Sequence, residues 1–82
     1  MKLVKRLAVQ TEKGLVWEDG TIGHKEIVEK SQKVMDIVKT MTVGQELWEY
    51  GSGEPISGPI GYAVADKDKN IIAYAMIGIS FK

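Results

Sequence analysis

Ile60-Gly61-Tyr62-Ala63-Val64-Ala65, then Asp66-Lys67-Asp68-Lys69-Asn70, then Ile71-Ile72-Ala73-Tyr74-Ala75-Met76-Ile77-Gly78-Ile79-Ser80-Phe81 run without interruption near the carboxyl end of the chain. Two runs rich in β-branched and aromatic residues thus flank five polar residues, the pattern of a hairpin closed by a short loop, with Asn70 suited to a left-handed backbone. If Asp66 pairs with Asn70, one face of the hairpin carries Gly61, Ala63, Ala65, Ile71, Ala73 and Ala75. The other then carries Ile60, Tyr62, Val64, Ile72, Tyr74 and Met76. Small residues allow a helix to approach closely, so the first face is expected beneath a helix.

Working back from the hairpin, Gly51 to Pro59 holds both prolines and three of the nine glycines, which marks the one long irregular segment. Before it, Glu46 to Tyr50 alternates, with Trp48 and Tyr50 on one side and Leu47 and Glu49 on the other, which favours a short strand over the alternative of a helical turn. Further upstream, Ile27, Val28, Ser31, Val34, Met35, Val38 and Met41 fall on one stripe at helical spacing, predicting one amphipathic helix of about five turns. Gly23 is its expected N-cap, Ile22 with Ile27 a hydrophobic staple, and Gly44 its end. Glu26 with Lys30 and Glu29 with Lys33 add pairs four apart. At the amino end, Leu3, Leu7 and Val9 alternate with Val4, Arg6, Ala8 and Gln10. Thr11 to Gly14 is a turn leading into Leu15 to Glu18, a second hairpin. The reading is a single α+β domain over residues 1–82, order ββαβββ, with one long helix laid on a mostly antiparallel sheet of four to five strands.

Composition narrows the function classes. The 82 residues are 44% hydrophobic and 27% charged, with eleven basic and eleven acidic side chains. No overall field draws the chain to a nucleic-acid polymer or an anionic membrane. There is no cysteine and one histidine, which removes thiol nucleophiles and Cys-ligated metals and leaves few ways to build a catalytic constellation. Lys5 and Arg6 interrupt the apolar start, and the longest apolar stretch, residues 71–81, is far short of the roughly 20 needed for a membrane helix. A cytoplasmic location without membrane association is expected.

One helix covers one face of a sheet. The larger hairpin face, Ile60, Tyr62, Val64, Ile72, Tyr74 and Met76, is left without cover, and each buried side chain of this size is worth about 1.5 to 3 kcal/mol. For a domain with a total stability of about 4 to 12 kcal/mol, leaving that face in water is costly. A homo-oligomer meeting through these six residues is the expected solution; the other is that the amino-terminal hairpin or the Gly-rich segment folds back over them.

His24, with Glu18, Asp19 and Glu26 near in sequence, is the one candidate for acid/base work. A histidine at a helix start is usually a packing or capping residue, and the scattered carboxylates lack a metal-ligand spacing, so no catalytic or metal residue and no cofactor is assigned. The stretch from Gly51 to Gly61 superficially resembles a phosphate loop but leads into a strand rather than a helix, and lacks the Lys-Ser/Thr pair. Trp48 and Tyr50 immediately precede it. Planar rings beside glycine amides suit a flat ligand, with Lys5 or Arg6 as the nearest source of positive charge for a phosphate. Trp17 and Trp48 could equally complete a small core.

The expected ligand site is therefore Trp48, Tyr50, Gly51, Ser52 and Gly53 with Lys5 and Arg6. The expected function is that of a small non-enzymatic, homo-oligomeric binding protein that sequesters a nucleotide-like molecule. The alternative is an adaptor or inhibitor, of the phage or mobile-element type by analogy of size, that grips a partner protein through the aromatic segment and the acidic residues Glu46, Glu49 and Glu54.

Overall fold

The computed structural model describes residues 2–51 and 59–76, with side chains for 3–51 and 61–76. At the amino end, β1 (Lys2–Thr11) and β2 (Gly14–Trp17) form the expected hairpin. Gly14 takes the positive φ of +119° that the turn demands, and Thr11 Oγ1 both donates to Gly14 O at 2.8 Å and accepts from Lys13 N at 3.1 Å. The chain then runs through α1 (Glu26–Glu29) and α2 (Gln32–Lys39), followed by β3 (Glu46–Gly51), β4 (Pro59–Ala65) and β5 (Ile71–Met76). The five strands form one sheet in the order β2-β1-β3-β4-β5, every neighbouring pair antiparallel. The α+β class and the antiparallel sheet follow the sequence reading. The element order is ββααβββ.

The single long helix is corrected to two short ones. Ser31 has extended geometry (φ −121°, ψ 117°), and its hydroxyl accepts from Val34 N at 3.3 Å, so it caps α2 instead of sitting inside a continuous stripe. A serine that competes for backbone donors favours such a break over a helix interior. Glu29 and Lys33 fall on either side of it, while Glu26 and Lys30 make the expected pair at 3.2 Å. The cap of α1 is Lys25, without a side-chain bond, because Gly23 is used elsewhere: its carbonyl accepts from Trp17 Nε1 at 2.6 Å. Ile22 is exposed and bridges to Val16, so it forms no staple. At the far end α2 stops at Lys39, and Gly44 (φ +97°) belongs to a later turn.

One row across the sheet, Trp17–Ala8–Leu47–Val64–Ala73, faces the helices, and Val28, Val34 and Val38 descend on it; Leu15, Met41 and Ala75 complete this core. Trp17 is 4% exposed and is a core residue. Alternation along β1 is broken by register shifts at Leu3/Lys5 and Arg6/Ala8. Ala8 therefore points into the core and Arg6 away from it, although their spacing had placed them on one side.

The faces of the terminal hairpin are also corrected. Asp66 N donates to Asn70 O at 3.0 Å, as expected, and Ala65 pairs with Ile71, but Val64 then pairs with Ala73, so Ile72 is an extra residue in β5. One inserted residue exchanges the faces of everything beyond it. Tyr62 and Val64 consequently look toward the helices opposite Ala75 and Ala73, while Gly61 and Ala63 lie with Met76 and Tyr74 on the other face. In the turn the left-handed residue is Lys69 (φ +66°), not Asn70, because the Asp66 carboxylate holds Asn70 N and Asp68 N at 2.9 Å each.

Candidate functional site

The second face of the sheet carries the row Arg6–Trp48–Ala63–Tyr74, flanked by Leu3–Tyr50–Gly61–Met76 and Val16–Val9–Glu46–Ala65–Ile71. Its centre is β4, whose Gly61, Ala63 and Ala65 make a floor of small residues. Tyr50 from β3 and Tyr74 from β5 reach toward each other over that floor and stack, with ring centroids 5.5 Å apart and planes 18° from parallel. Ala63 and Ala65 are fully buried yet stand outside the core cluster.

Trp48 occupies the rest of this surface, half-buried. Its Nε1 donates to Glu46 Oε1 at 2.9 Å, and the Lys69 ammonium from the β4–β5 turn lies 5.6 Å from its ring centre. Glu46 Oε2 accepts from Arg6 at 3.4 Å, and the Arg6 Nε donates to Glu18 at 2.9 Å, so that Glu18 and then Glu46 strengthen the guanidinium's hold on its proton. The indole is thus fixed in orientation by a polar chain along one edge and capped by a flexible cation. Tyr74 is 57% exposed and Ile72 52%. The arrangement offers flat apolar faces with a few oriented polar groups. That suits stacking and adhesion.

The expected site residues separate. Trp48, Tyr50 and Arg6 share the open face; Lys5 pairs with Glu49, whose neighbour Tyr62 looks toward the helices, and so leaves from the opposite face. Burial, and next the charge of Glu49, push the Tyr62 phenol up. Gly51 is the buried last residue of β3, and Ser52 and Gly53 lie outside the described residues. Of the six residues expected at an interface, Ile72, Tyr74 and Met76 are on the open side of β5. Val64 is 1% exposed within the core and Tyr62 packs against it; the Ile60 side chain lies outside the described residues. The acidic residues do not make one patch either: Glu46 is bonded into the open face and Glu49 is on the helical side, while Glu54 lies outside the described residues.

His24 is exposed, ahead of α1, and makes no carboxylate hydrogen bond among the described residues. Close by, a cavity of about 300 Å³ is lined by Lys5, Arg6, Trp17, Asp19 and Lys25 among others. Lys25 bonds Asp19 at 2.6 Å and lies 5.1 Å from the Trp17 ring, and with Thr21 N it holds the Asp19 carboxyl well below the usual carboxylate range. Four of the cavity's charged groups are paired with one another, Arg6 with Glu18 and Lys25 with Asp19.

Sequence reasoning missed Tyr74 as the stacking partner of Tyr50, and Glu46, Glu18 and Lys69 as the polar rim. The missing information was register. The only local hint of the extra residue is the Ile71-Ile72 doublet directly after the turn. Comparison with known proteins finds no matching family, no similar curated protein and no similar solved structure.

Proposed function

We propose that this chain is a small non-enzymatic binding protein that works as a homo-oligomer, with the open face of its sheet as the working surface and a flat, nucleobase-like group as its ligand. The observation that carries the reading is the stacked Tyr50–Tyr74 pair beside an indole clamped in plane, on a sheet face that no described element covers. Natural monomers rarely leave such a contiguous apolar patch in water without a use for it. The amino-terminal hairpin does not fold over the face; it extends the sheet sideways.

The Lys69 ammonium over Trp48 indicates that the indole accepts a group on its outer side, which a flat ligand would displace at little cost. A phosphate is less well provided for. Arg6 already serves Glu18 and Glu46, and Lys5 departs from the other face. Recognition through the ring system of a nucleotide-like ligand is therefore favoured over recognition of its phosphates. The adaptor or inhibitor reading, in which the same surface seats a partner protein, is favoured by the apolar exposure of Ile72 and Tyr74 rather than by the glutamates.

Trp17 and Trp48 separate cleanly in a fluorescence test, since only Trp48 reaches the open face. Nucleosides, nucleotides and a small-molecule cell extract, titrated into the Trp17→Phe variant, should quench Trp48 saturably. Trp48→Ala in the otherwise native chain should weaken binding by about 1 to 3 kcal/mol, roughly 5- to 150-fold by calorimetry, without unfolding the domain. A native mass spectrum reports subunit number and any carried molecule together. If no small molecule quenches Trp48 or raises the melting temperature, the ligand reading is refuted and the partner-protein reading takes its place.

A further inference from the structure

The two edges of the sheet are finished differently. On the β2 side the outward backbone groups are in use: Trp17 N donates to Thr21 O and Gly23 N to Leu15 O, both at 2.8 Å, and Val16 bridges Ile22. The loop after β2 closes that edge. Among the described residues β5 has a neighbour on one side only, and no backbone hydrogen bond leaves its outer side. Its six residues include no charge and no proline, the means by which natural edge strands are kept from pairing, and its exposed side chains are apolar.

We infer that β5 pairs antiparallel with β5 of a second copy about a two-fold axis at Ala73, joining two sheets into one of ten strands. This rests on the proposal that the chain is a homo-oligomer and specifies which surface makes the contact. A second copy is the fitting occupant because identical antiparallel strands are self-complementary, and an uncharged strand brings no like charges together. A two-fold perpendicular to the sheet keeps both helical layers on one side and both aromatic faces on the other. With the axis at Ala73, Ile72 lies opposite Tyr74 twice, an aromatic with β-branched cross-strand pair. These are the two most exposed large apolar side chains of the hairpin, at 52% and 57%.

The ends of the strand agree in charge. The partner's Asp66–Asn70 turn comes against the Met76 end of β5, where Lys30 and Lys33 line a cavity of about 440 Å³ together with Met76. Asp68, exposed at the tip of that turn, is the group suited to Lys33, since Lys30 already pairs with Glu26 at 3.2 Å. Each Tyr74 remains stacked on its own Tyr50, so the two aromatic clusters stand side by side and the ligand surface spans both subunits.

Light scattering and sedimentation of the full chain test the pairing. Ile72 is exposed in the single chain, so Ile72→Lys should fold normally and run as a monomer at concentrations where the wild type and Trp48→Ala are dimers. Since the chain has no cysteine, Ala73→Cys adds a unique thiol whose counterpart lies across the axis, within the roughly 4.4 to 6.8 Å between Cα atoms that a disulfide spans. Mild oxidation should link it almost completely, and Val43→Cys, exposed elsewhere, far less. If Ile72→Lys stays dimeric while Trp48→Ala dissociates, the oligomer stands but the copies meet through their faces, and edge pairing is overturned. If the wild type is a monomer at every attainable concentration, both proposals fall. Should Ala73→Cys not fold, the Ile72→Lys comparison decides alone.

Discussion

Adding one methyl group at Gly61 tests how closely β4 and β5 are held. A Cβ at that position would lie 2.9 Å from Met76 Cα and 3.1 Å from Ala75 C, with the Ala75 carbonyl oxygen closer still. All three atoms are backbone, so no rotamer change relieves the contact. Carbon atoms in contact rest about 3.5 to 4.0 Å apart, and this end of β5 must therefore move by about 1 Å. Overpacking strain of this kind costs about 1 to 3 kcal/mol. Ladder hydrogen bonds near the Gly61–Met76 pair lengthen, at about 1 kcal/mol for each one lost. Alanine in place of glycine offsets about 0.4 to 1 kcal/mol by restricting the unfolded chain. The sum is a destabilisation of about 2 kcal/mol, a large share of the roughly 4 to 12 kcal/mol expected for 82 residues, and a melting temperature lower by about 8 to 16 °C. Urea unfolding followed by far-UV circular dichroism reads the first quantity, and a thermal scan the second. An unchanged or raised midpoint at unaltered slope would refute the close approach of the two backbones as the reason for glycine here.

Ser31→Ala should lower stability by about 1 kcal/mol through loss of the α2 cap, and Ser31→Asp should keep most of it; equal losses in urea midpoints would show that the hydroxyl is not the cap. Asp66, held below the usual carboxylate range first by Asn70 N and then by Asp68 N, and Asp19, held there by Lys25, both have folded values below their unfolded ones. Their contribution is complete above about pH 5 and is lost as pH falls below about 4, toward the depressed folded values. Melting temperatures between pH 2 and 6 should therefore fall more steeply for the wild type than for the double variant Asp19→Asn/Asp66→Asn. Parallel curves would show that neither carboxylate is coupled to folding.

Local chemistry made much of this fold legible. The Thr11 to Gly14 turn, the alternation of Glu46 to Tyr50 and the polar loop between two apolar runs each carry their signal within a few residues, and each is found where expected. The helix was overread because a stripe at helical spacing is blind to a break: Val28 and Val34 both reach the core with Ser31 between them, and apolar spacing alone does not reveal that the serine caps a new helix. In the site, Trp48 and Tyr50 could be singled out as neighbours two apart on one strand. Arg6 sits beside Trp48 because of a register shift in β1, and Tyr74 meets Tyr50 because of an extra residue in β5. Beyond the Ile71-Ile72 doublet, neither irregularity leaves a mark in the local sequence.

By itself the amino-acid sequence determined the class of the molecule: one α+β domain without a thiol, with balanced charge and with more apolar strand surface than its helical segment could cover. Those properties are sums or short-range patterns, and they hold in any register. Only the tertiary structure decided which side chains occupy the uncovered face. A strand presents its residues with a period of two, so a single inserted residue turns large side chains inward and small ones outward with no change in composition. At Ile72 that insertion sets Ala73 opposite the buried Val64 and turns Tyr74 onto the open face, where it stacks on Tyr50.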